Sequence, residues 1–179
     1  MHLLRHAFFE SRNRPGVGIR ESRNPADHAD GIHNMLIIGC GNRQRGDDGA
    51  GIIAIERLRA LGIPAKICTG ESSELIDAWS GADDVIVIDA VVTGAPTGIV
   101  HVWDGQHPMR RSRSSASTHG IGVAEAIELA RTLGRLPPKL RVHGIEGKKF
   151  EIGSAVSPEV ERAIEHVVER IAREVGAAK

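Results

Sequence analysis

The sequence has few cysteines, no excess of either charge and no long apolar run, and each of these absences excludes a class of protein. Its 179 residues include only Cys40 and Cys68, without a C-x-x-C spacing. This excludes a disulfide framework and a structural zinc knuckle, and it favours a reducing compartment such as the cytoplasm. The 23 basic residues only balance the 23 acidic ones, which disfavours a protein that binds nucleic acid through phosphate contacts. No segment reaches the ~20 consecutive apolar residues that cross a bilayer, so we expect neither nucleic acid nor membrane as a partner.

The first 34 residues lack any sustained hydrophobic period. They hold five arginines among prolines, glycines and histidines, and no apolar core of the length found in signal peptides. We predict a disordered extension over residues 1–34 and a single α/β domain over residues 35–179.

Short apolar runs alternate with longer helical patterns from Met35 onward. Residues 35–40 form one continuous apolar run, and a second stands between Asp84 and Asp89. Such runs are typical of strands buried on both faces of a parallel sheet. Residues 99–103 follow the second run after a short turn-rich connection, so we expect an antiparallel, hairpin-like strand there. The pattern predicts a three-layer α/β/α sandwich of about five strands, mostly parallel with one antiparallel strand.

The predicted helices cover residues 49–61, a short segment beginning at Ser72 or Ser73, residues 119–133, and a final helix that begins after Ser157-Pro158. In the final helix, apolar residues recur at helical spacing and predict one stripe packed on the sheet. These residues are Val160, Ile164, Val167, Ile171 and Val175.

Ligands of such sheets bind outside the carboxyl ends of the strands, so the residues at those ends are the candidates for function. Residues 39–51 form a glycine-rich loop, Asp89 ends the second apolar run, and His119 stands at a predicted helix start. The glycine spacing fails the G-x-G-x-x-G fingerprint and no G-K-[ST] is present, which excludes a dinucleotide loop and a P-loop. Asp47 and Asp48 would also oppose a phosphate at this point.

Each candidate has a structural and a functional interpretation. Asp47 is favoured as a helix cap, which leaves Asp48 as the more interesting acid of the pair. Asp89 is either a turn-initiating aspartate or a ligand, and His119 is either a structural histidine or a neutral imidazole kept available by the helix dipole. If the last three converge on one edge, two carboxylates and one imidazole make a partial metal shell with open positions.

The rival chemistry is a cysteine or serine nucleophile. Cys40 follows an apolar strand and is interpreted as a small core residue, and His143 lies inside the last apolar strand and is interpreted as a hydrogen-bonded structural histidine. Three arginines in the serine-rich loop before His119 are expected to be solvated, or else to contact an acidic partner. They are Arg110, Arg111 and Arg113.

Four motifs in this order resemble the nickel-iron hydrogenase maturation endopeptidases. They are Ile-Ile-Gly-Cys-Gly-Asn-x4-Asp-Asp-Gly-x-Gly, Val-Ile-Val-Ile-Asp-Ala-Val, Ser-Thr-His-Gly-x-Gly, and His-Gly-Ile-Glu-Gly followed by a Ser-Pro-Glu-Val helix. The resemblance spans about residues 35–175. It implies a hydrolase, by class an aspartyl protease, that removes a C-terminal extension from the nickel-loaded large subunit of a nickel-iron hydrogenase during maturation.

The resemblance also places the family's three metal-contacting positions on Asp48, Asp89 and His119, which are our candidate catalytic and metal residues. The implied metal is nickel supplied by the substrate, and cadmium or zinc is expected to substitute in vitro. The implied partner is the C-terminal tail of the large-subunit precursor. The metal would polarise the scissile carbonyl or activate water, or an aspartate would act as general base while nickel only positions the peptide.

Two other functions stay open on the sequence. A nickel-dependent binding module would escort the large subunit without cutting it, and only an endopeptidase would leave a shortened chain. A peptidyl-tRNA hydrolase shares this type of fold, but it needs a basic face that the neutral charge does not favour.

Overall fold

Five strands and four helices make up the part of the chain that the structure describes. The structure is a computed structural model that describes residues 34–108 and 118–177, without the side chains of residues 118–121. The predicted extension and the arginines of the serine-rich loop lie outside these residues. The strands are β1 (Met35–Gly39), β2 (Lys66–Ile67), β3 (Asp84–Val91), β4 (Val100–Asp104) and β5 (Lys139–Glu146). The helices are α1 (Ala50–Ala60), α2 (Ser72–Ala78), α3 (Thr118–Thr132) and α4 (Pro158–Ala177), with a short 3-10 helix (Gly46–Gly49) before α1.

The sheet has the order β2-β1-β3-β5-β4. Strands β2, β1, β3 and β5 are parallel, and β4 is the antiparallel edge strand. This confirms the predicted fold class. The antiparallel strand was expected to pair with β3 as in a hairpin, and this is wrong. Strand β4 pairs with β5, which lies between β3 and β4 and follows α3 in the chain.

The apolar residues of the strands face two separate cores. Ile86 and Ile88 pack with α1 and α4 on one face of the sheet, whereas Val85 and Val87 pack with α2 and α3 on the other. Successive strand residues point to opposite faces, so the continuous apolar run of β3 is explained by burial on both sides. Ile38 lies on the same face as Val87, which also places Cys40 on the α2 and α3 side.

Helix α4 confirms the predicted stripe. It begins at Pro158, directly after Ser157, and four of its five predicted stripe residues are buried against the sheet while Val175 packs at the margin of the same core. Among the helices between residues 34 and 177, none has both the length and the apolar character to span a membrane.

The carboxyl ends of β1, β3 and β5 meet at one edge of the sheet. Gly39 is opposite Ile88, and Ile88 is opposite His143. The 3-10 helix and the loop of residues 147–157 follow β1 and β5 at this edge, which is where the candidate residues were expected.

Candidate active site

The glycines of residues 39–51 allow the 3-10 helix and α1 to pack tightly against the strand ends. A Cβ atom on Gly51 would lie 2.3 Å from the Cys40 carbonyl oxygen and 2.4 Å from that of Ile88. Gly41 has a φ of +122°, and a Cβ atom there would lie 1.9 Å from the Asp48 carbonyl oxygen. Only glycine fits these positions, so the loop serves a close approach of backbones rather than a phosphate.

Asp48 is buried in the 3-10 helix, with 2% of its surface exposed. Its backbone N–H donates to the Arg45 carbonyl at 3.1 Å, and its carbonyl accepts from the Asn42 N–H at 3.1 Å. These bonds close the turn around Asp48 at the carboxyl edge of the sheet. The structure therefore places this predicted residue where the strand-end rule expected it.

Asp89 lies inside β3 rather than at its end. The strand continues to Val91 because β5 runs beside it as far as Glu146. Its side chain is 1% exposed and by alternation shares the face of Val87. Asp89 Oδ1 accepts the Ala90 N–H at 2.9 Å, which is the local bond of the structural interpretation. Its Oδ2 is buried and has no hydrogen-bond partner among the described residues.

The two aspartates influence each other electrostatically. Burial and, to a lesser extent, the negative charge of Asp48 together raise the pKa of Asp89 to about 8, against the opposing effect of the Ala90 N–H. Gly41 lies beside both residues, because its Cβ position is 4.0 Å from Asp89 Oδ1 as well as close to the Asp48 backbone. The structure thus brings together two buried carboxyl groups that repel each other when both are ionised.

His119 is the second residue of α3, so the predicted position at a helix start is confirmed. Its side chain lies outside the described residues. Helix α3 contacts the loop after β2 at Gly122, where an added Cβ atom would lie 2.2 Å from the Gly70 carbonyl oxygen. The Ser72 hydroxyl donates to the Gly122 carbonyl at 3.3 Å. Helix α3 covers the same face of the sheet on which Asp89 lies.

A cation would suit this pair of carboxylates. Burying an Asp89 oxygen that has no hydrogen-bond partner among the described residues costs free energy, and so does the repulsion between the two carboxylates. A positive charge would reduce both costs. Over the side chains that the structure describes, no three Asp, Glu, His or Cys residues converge as a metal cluster. The predicted three-ligand set of Asp48, Asp89 and His119 therefore stays a prediction, with two members brought together.

The rival nucleophile has little support in its surroundings. Cys40 is fully buried, as interpreted from the sequence, and its pKa is raised well above the usual range by burial and by the charge of Asp89. Cys68 is also free and buried, and burial raises its pKa. Because the thiolate is the nucleophilic form, neither thiol is activated.

His143 is a buried strand residue, as expected, and the hydrogen bond predicted for it is not made by Nδ1 to any described residue. Burial and, to a lesser extent, the charges of Arg170 and Arg141 together lower the pKa of His143 to about 4. The ring is therefore neutral at physiological pH.

Two buried acids near the site differ from the sequence prediction: Asp47 has a role other than the predicted one, and Glu146 was not predicted. Asp47 does not cap a helix, because its carboxylate accepts hydrogen bonds from the loop of residues 147–157. Glu146 is 2% exposed and accepts from the Thr93 and Gly94 N–H groups and from the Thr93 hydroxyl. The motif His-Gly-Ile-Glu-Gly contained this signal, since a glutamate at the end of an apolar strand needs buried partners.

Comparison with known proteins agrees with this geometry. The family described as HycI, hydrogenase maturation protease, matches residues 70–174, which is more than half of the chain. The hydrogenase expression/formation protein HupD of Thiocapsa roseopersicina is 28% identical over 142 residues, covering 75% of this chain and 64% of that protein, slightly under two thirds of its length. Hydrogenase 2 maturation protease of Escherichia coli is 27% identical over 144 residues, covering 76% of this chain and 87% of that protein.

Solved structures share the fold. The hydrogenase maturating endopeptidase HybD from Escherichia coli superimposes with a TM-score of 0.64 at 23% identity, covering 81% of this chain and 93% of that one. The nickel-iron hydrogenase maturation protease HybD from Thermococcus kodakarensis gives a TM-score of 0.60 at 25% identity, covering 82% and 99%. The chain therefore shares its fold with these two proteins.

Proposed function

Because the chain belongs to the hydrogenase maturation protease family, we propose that it is an endopeptidase that removes a C-terminal extension from the large subunit of a nickel-iron hydrogenase. The relatives' names supply the type of substrate. The observation that supports the proposal in this chain is the buried pair of Asp48 and Asp89 at the carboxyl edge, with one Asp89 oxygen unpartnered among the described residues.

In this proposal, the nickel already bound by the precursor is part of the substrate. Asp48, Asp89 and His119 would contact it, since carboxylate and imidazole groups both bind divalent transition metals. Among the described residues no group donates to Asp89 Oδ2, and the pKa of Asp89 is raised. Both observations support this role, because a divalent cation would supply a partner for that oxygen and favour the ionised form. A precursor without nickel would lack the charge that these acids attract, so cleavage would follow metal insertion.

Two divisions of labour are compatible with these residues. In one, the carboxylates orient the metal-bearing peptide and the Lewis acidity of nickel assists attack on the scissile carbonyl. In the other, an aspartate accepts a proton from the attacking water, which is the aspartyl-protease version of the proposal. A divalent cation beside Asp89 would favour its ionised form, which is the form that accepts a proton. The rate of cleavage as a function of pH, measured with nickel-loaded precursor, distinguishes the two.

We place this reaction in the cytoplasm. Both cysteines are free and buried, which fits a reducing compartment. The proposed partner is the precursor's C-terminal tail, and no nucleic acid or membrane takes part.

The proposal is tested by incubating nickel-loaded precursor with the wild-type chain and with Asp48→Asn, Asp89→Asn and His119→Ala. Mass spectrometry should show a shortened large subunit and a released peptide with the wild type and with the control described next, but not with the three site variants. Asp77→Asn is the matched control, because Asp77 is an exposed aspartate whose ion pair with Arg135 lies at the surface.

Circular dichroism should show that all variants are folded. Full cleavage by the three site variants would overturn the site assignment. Stable binding of the precursor with no shortening by the wild type would instead favour the non-cleaving escort function. In the metal-binding arm, cadmium or zinc replaces nickel, and the two aspartate variants should bind either ion more weakly than the wild type.

A further inference from the structure

Asp47 is fully buried beside the candidate site and its carboxylate is saturated with hydrogen bonds. Oδ1 accepts the Ser157 N–H at 2.6 Å. Oδ2 accepts the Lys148 N–H at 2.8 Å, the Lys149 N–H at 2.9 Å and the Ser157 hydroxyl at 2.9 Å. An ionised carboxylate offers about four acceptor positions, and these four hydrogen bonds engage both oxygens of Asp47 within the protein. Asp47 is therefore not a further ligand.

All four donors belong to one segment, the loop of residues 147–157, which follows β5 and leads to α4. Further backbone contacts join the same loop to the turn before α1. The Asp47 N–H donates to the Lys149 carbonyl at 2.8 Å, and the Gly153 N–H donates to the Gln44 carbonyl at 2.8 Å. Arg45 Nε donates to the Phe150 carbonyl at 3.1 Å. The side chain of Asp47 is the buried centre of this contact.

The turn that carries Asp48 has little local support of its own. Its N-cap residue is Arg45, which makes no side-chain capping bond. A 3-10 helix of four residues is held by few internal bonds, so its position depends on what it packs against. Asp48 directly follows Asp47 in this turn, and any displacement of Asp47 moves the Asp48 carboxylate relative to Asp89.

We propose that Asp47 is a positioning residue, which fixes the Asp48 carboxylate by tying the 3-10 helix to the loop of residues 147–157. This inference rests on the proposed function of Asp48. It also explains the adjacent aspartates of the Asp-Asp-Gly motif, since the first binds the loop of residues 147–157 and the charge of the second acts on Asp89. Charge-assisted hydrogen bonds to backbone N–H groups are strong and directional, as precise placement of a ligand requires.

The informative variant is Asp47→Asn. Asparagine keeps the shape, but its amide nitrogen is a donor and would face N–H or hydroxyl donors in either orientation. We expect the loop to be released and kcat for cleavage of nickel-loaded precursor to fall about 10–100-fold, the usual effect of removing a group that orients a ligand. KM should change less, because Asp47 contacts no substrate. Affinity for Cd²⁺ alone should fall by a similar factor.

Ser157→Ala gives a graded comparison. It removes only the hydroxyl donor and leaves the three backbone bonds to Asp47, so we expect less than a ~3-fold loss of kcat. Ile171→Ala is the stability control, because Ile171 is fully buried in the core beneath α4, and truncation of a buried isoleucine lowers stability without touching the loop. All assays are run well below the melting temperature of the least stable variant.

Limited trypsin digestion reports separately on the loop. Cutting after Lys148 and Lys149 should be faster in Asp47→Asn than in wild type and Ile171→Ala. If the loop is cut faster while kcat and Cd²⁺ affinity stay within ~3-fold of wild type, the positioning role is refuted. An equal loss of kcat in Ile171→Ala would also refute it, because general destabilisation would then suffice. Unchanged cleavage by Asp48→Asn would refute the proposed function of Asp48 instead, which keeps the two failures distinct.

Discussion

Replacing Asp89 by asparagine should make the metal-free protein more stable while abolishing cleavage. Asp89 is 1% exposed, and its pKa is raised to about 8 from an ordinary value of 3.8, chiefly by burial and then by the charge of Asp48. At pH 7 the unfolded chain carries an ionised Asp89, whereas folding disfavours that charge. Asparagine is neutral at every pH, keeps the acceptor for the Ala90 N–H and offers a donor where the unpartnered oxygen lay.

The size of the effect follows from the pKa shift. One pKa unit corresponds to about 1.36 kcal/mol, and roughly three units separate the ordinary pKa from pH 7, which gives an upper limit of about 4 kcal/mol. We expect a gain of about 2–4 kcal/mol in the free energy of unfolding. For a domain of this size, each kcal/mol raises the melting temperature by roughly 2–4 °C.

The pH dependence has a defined sign. Because the folded-state pKa is raised, wild-type Asp89 is protonated in both states below about pH 3.8 and costs nothing there. Its cost grows as pH rises from about 4 to 8. The advantage of Asp89→Asn should therefore be less than about 1 kcal/mol at pH 4 and largest near pH 8.

The assay is urea unfolding in the presence of EDTA at pH 4, 5.5, 7 and 8, followed by circular dichroism. Asp47→Asn is the matched control from the same edge of the sheet, and it should lose stability because its carboxylate accepts four hydrogen bonds. A lower stability of Asp89→Asn than wild type at pH 8, or a gain that does not vary with pH, would refute the reasoning.

Two further predictions concern His143 and α3. The pKa of His143 is lowered to about 4 from 6.5, so its contribution to stability is complete above pH 6.5 and is lost as pH falls towards 4, by up to about 3 kcal/mol. In urea unfolding, His143→Gln should therefore lose less stability over this pH range than the wild type. An equal loss of stability in the two proteins would contradict the prediction. Gly122→Ala would place a Cβ atom 2.2 Å from the Gly70 carbonyl oxygen, so we expect the start of α3 to shift and the cleavage rate to fall at least 10-fold. Gly134→Ala, where no atom lies within 4 Å but φ is +64°, is a control for backbone strain alone, and an equal loss of cleavage there would argue against the contact.

Much of the fold was predictable because it depends on local patterns. The apolar runs of β1 and β3, the stripe of α4 and its start at Pro158 follow from side-chain periodicity and from proline chemistry, which neighbouring residues determine. The edge location of Asp48 and Asp89 was predictable for the same reason, since parallel strands place their carboxyl ends together.

The strand pairing of β4 and the role of Asp47 were not predictable in this way. β4 pairs with β5, which comes 35 or more residues later in the chain, and Asp47 finds its donors 101, 102 and 110 positions away. An aspartate before a helix has a local explanation as a cap, so the pattern favoured that interpretation. In the folded protein, the Asp47 carboxylate instead accepts hydrogen bonds from the loop of residues 147–157, because the buried N–H groups of that loop need an acceptor.

The amino-acid order alone determined which segments are strands and helices, which residues reach the carboxyl edge and which family the chain resembles. Only the tertiary structure decided that Asp47 is consumed by hydrogen bonds, that Asp89 keeps one oxygen unpartnered within the described residues, and that its pKa is raised by burial beside Asp48. The physical reason is that periodicity acts between near neighbours, whereas the state of a buried charge depends on every group that packs around it.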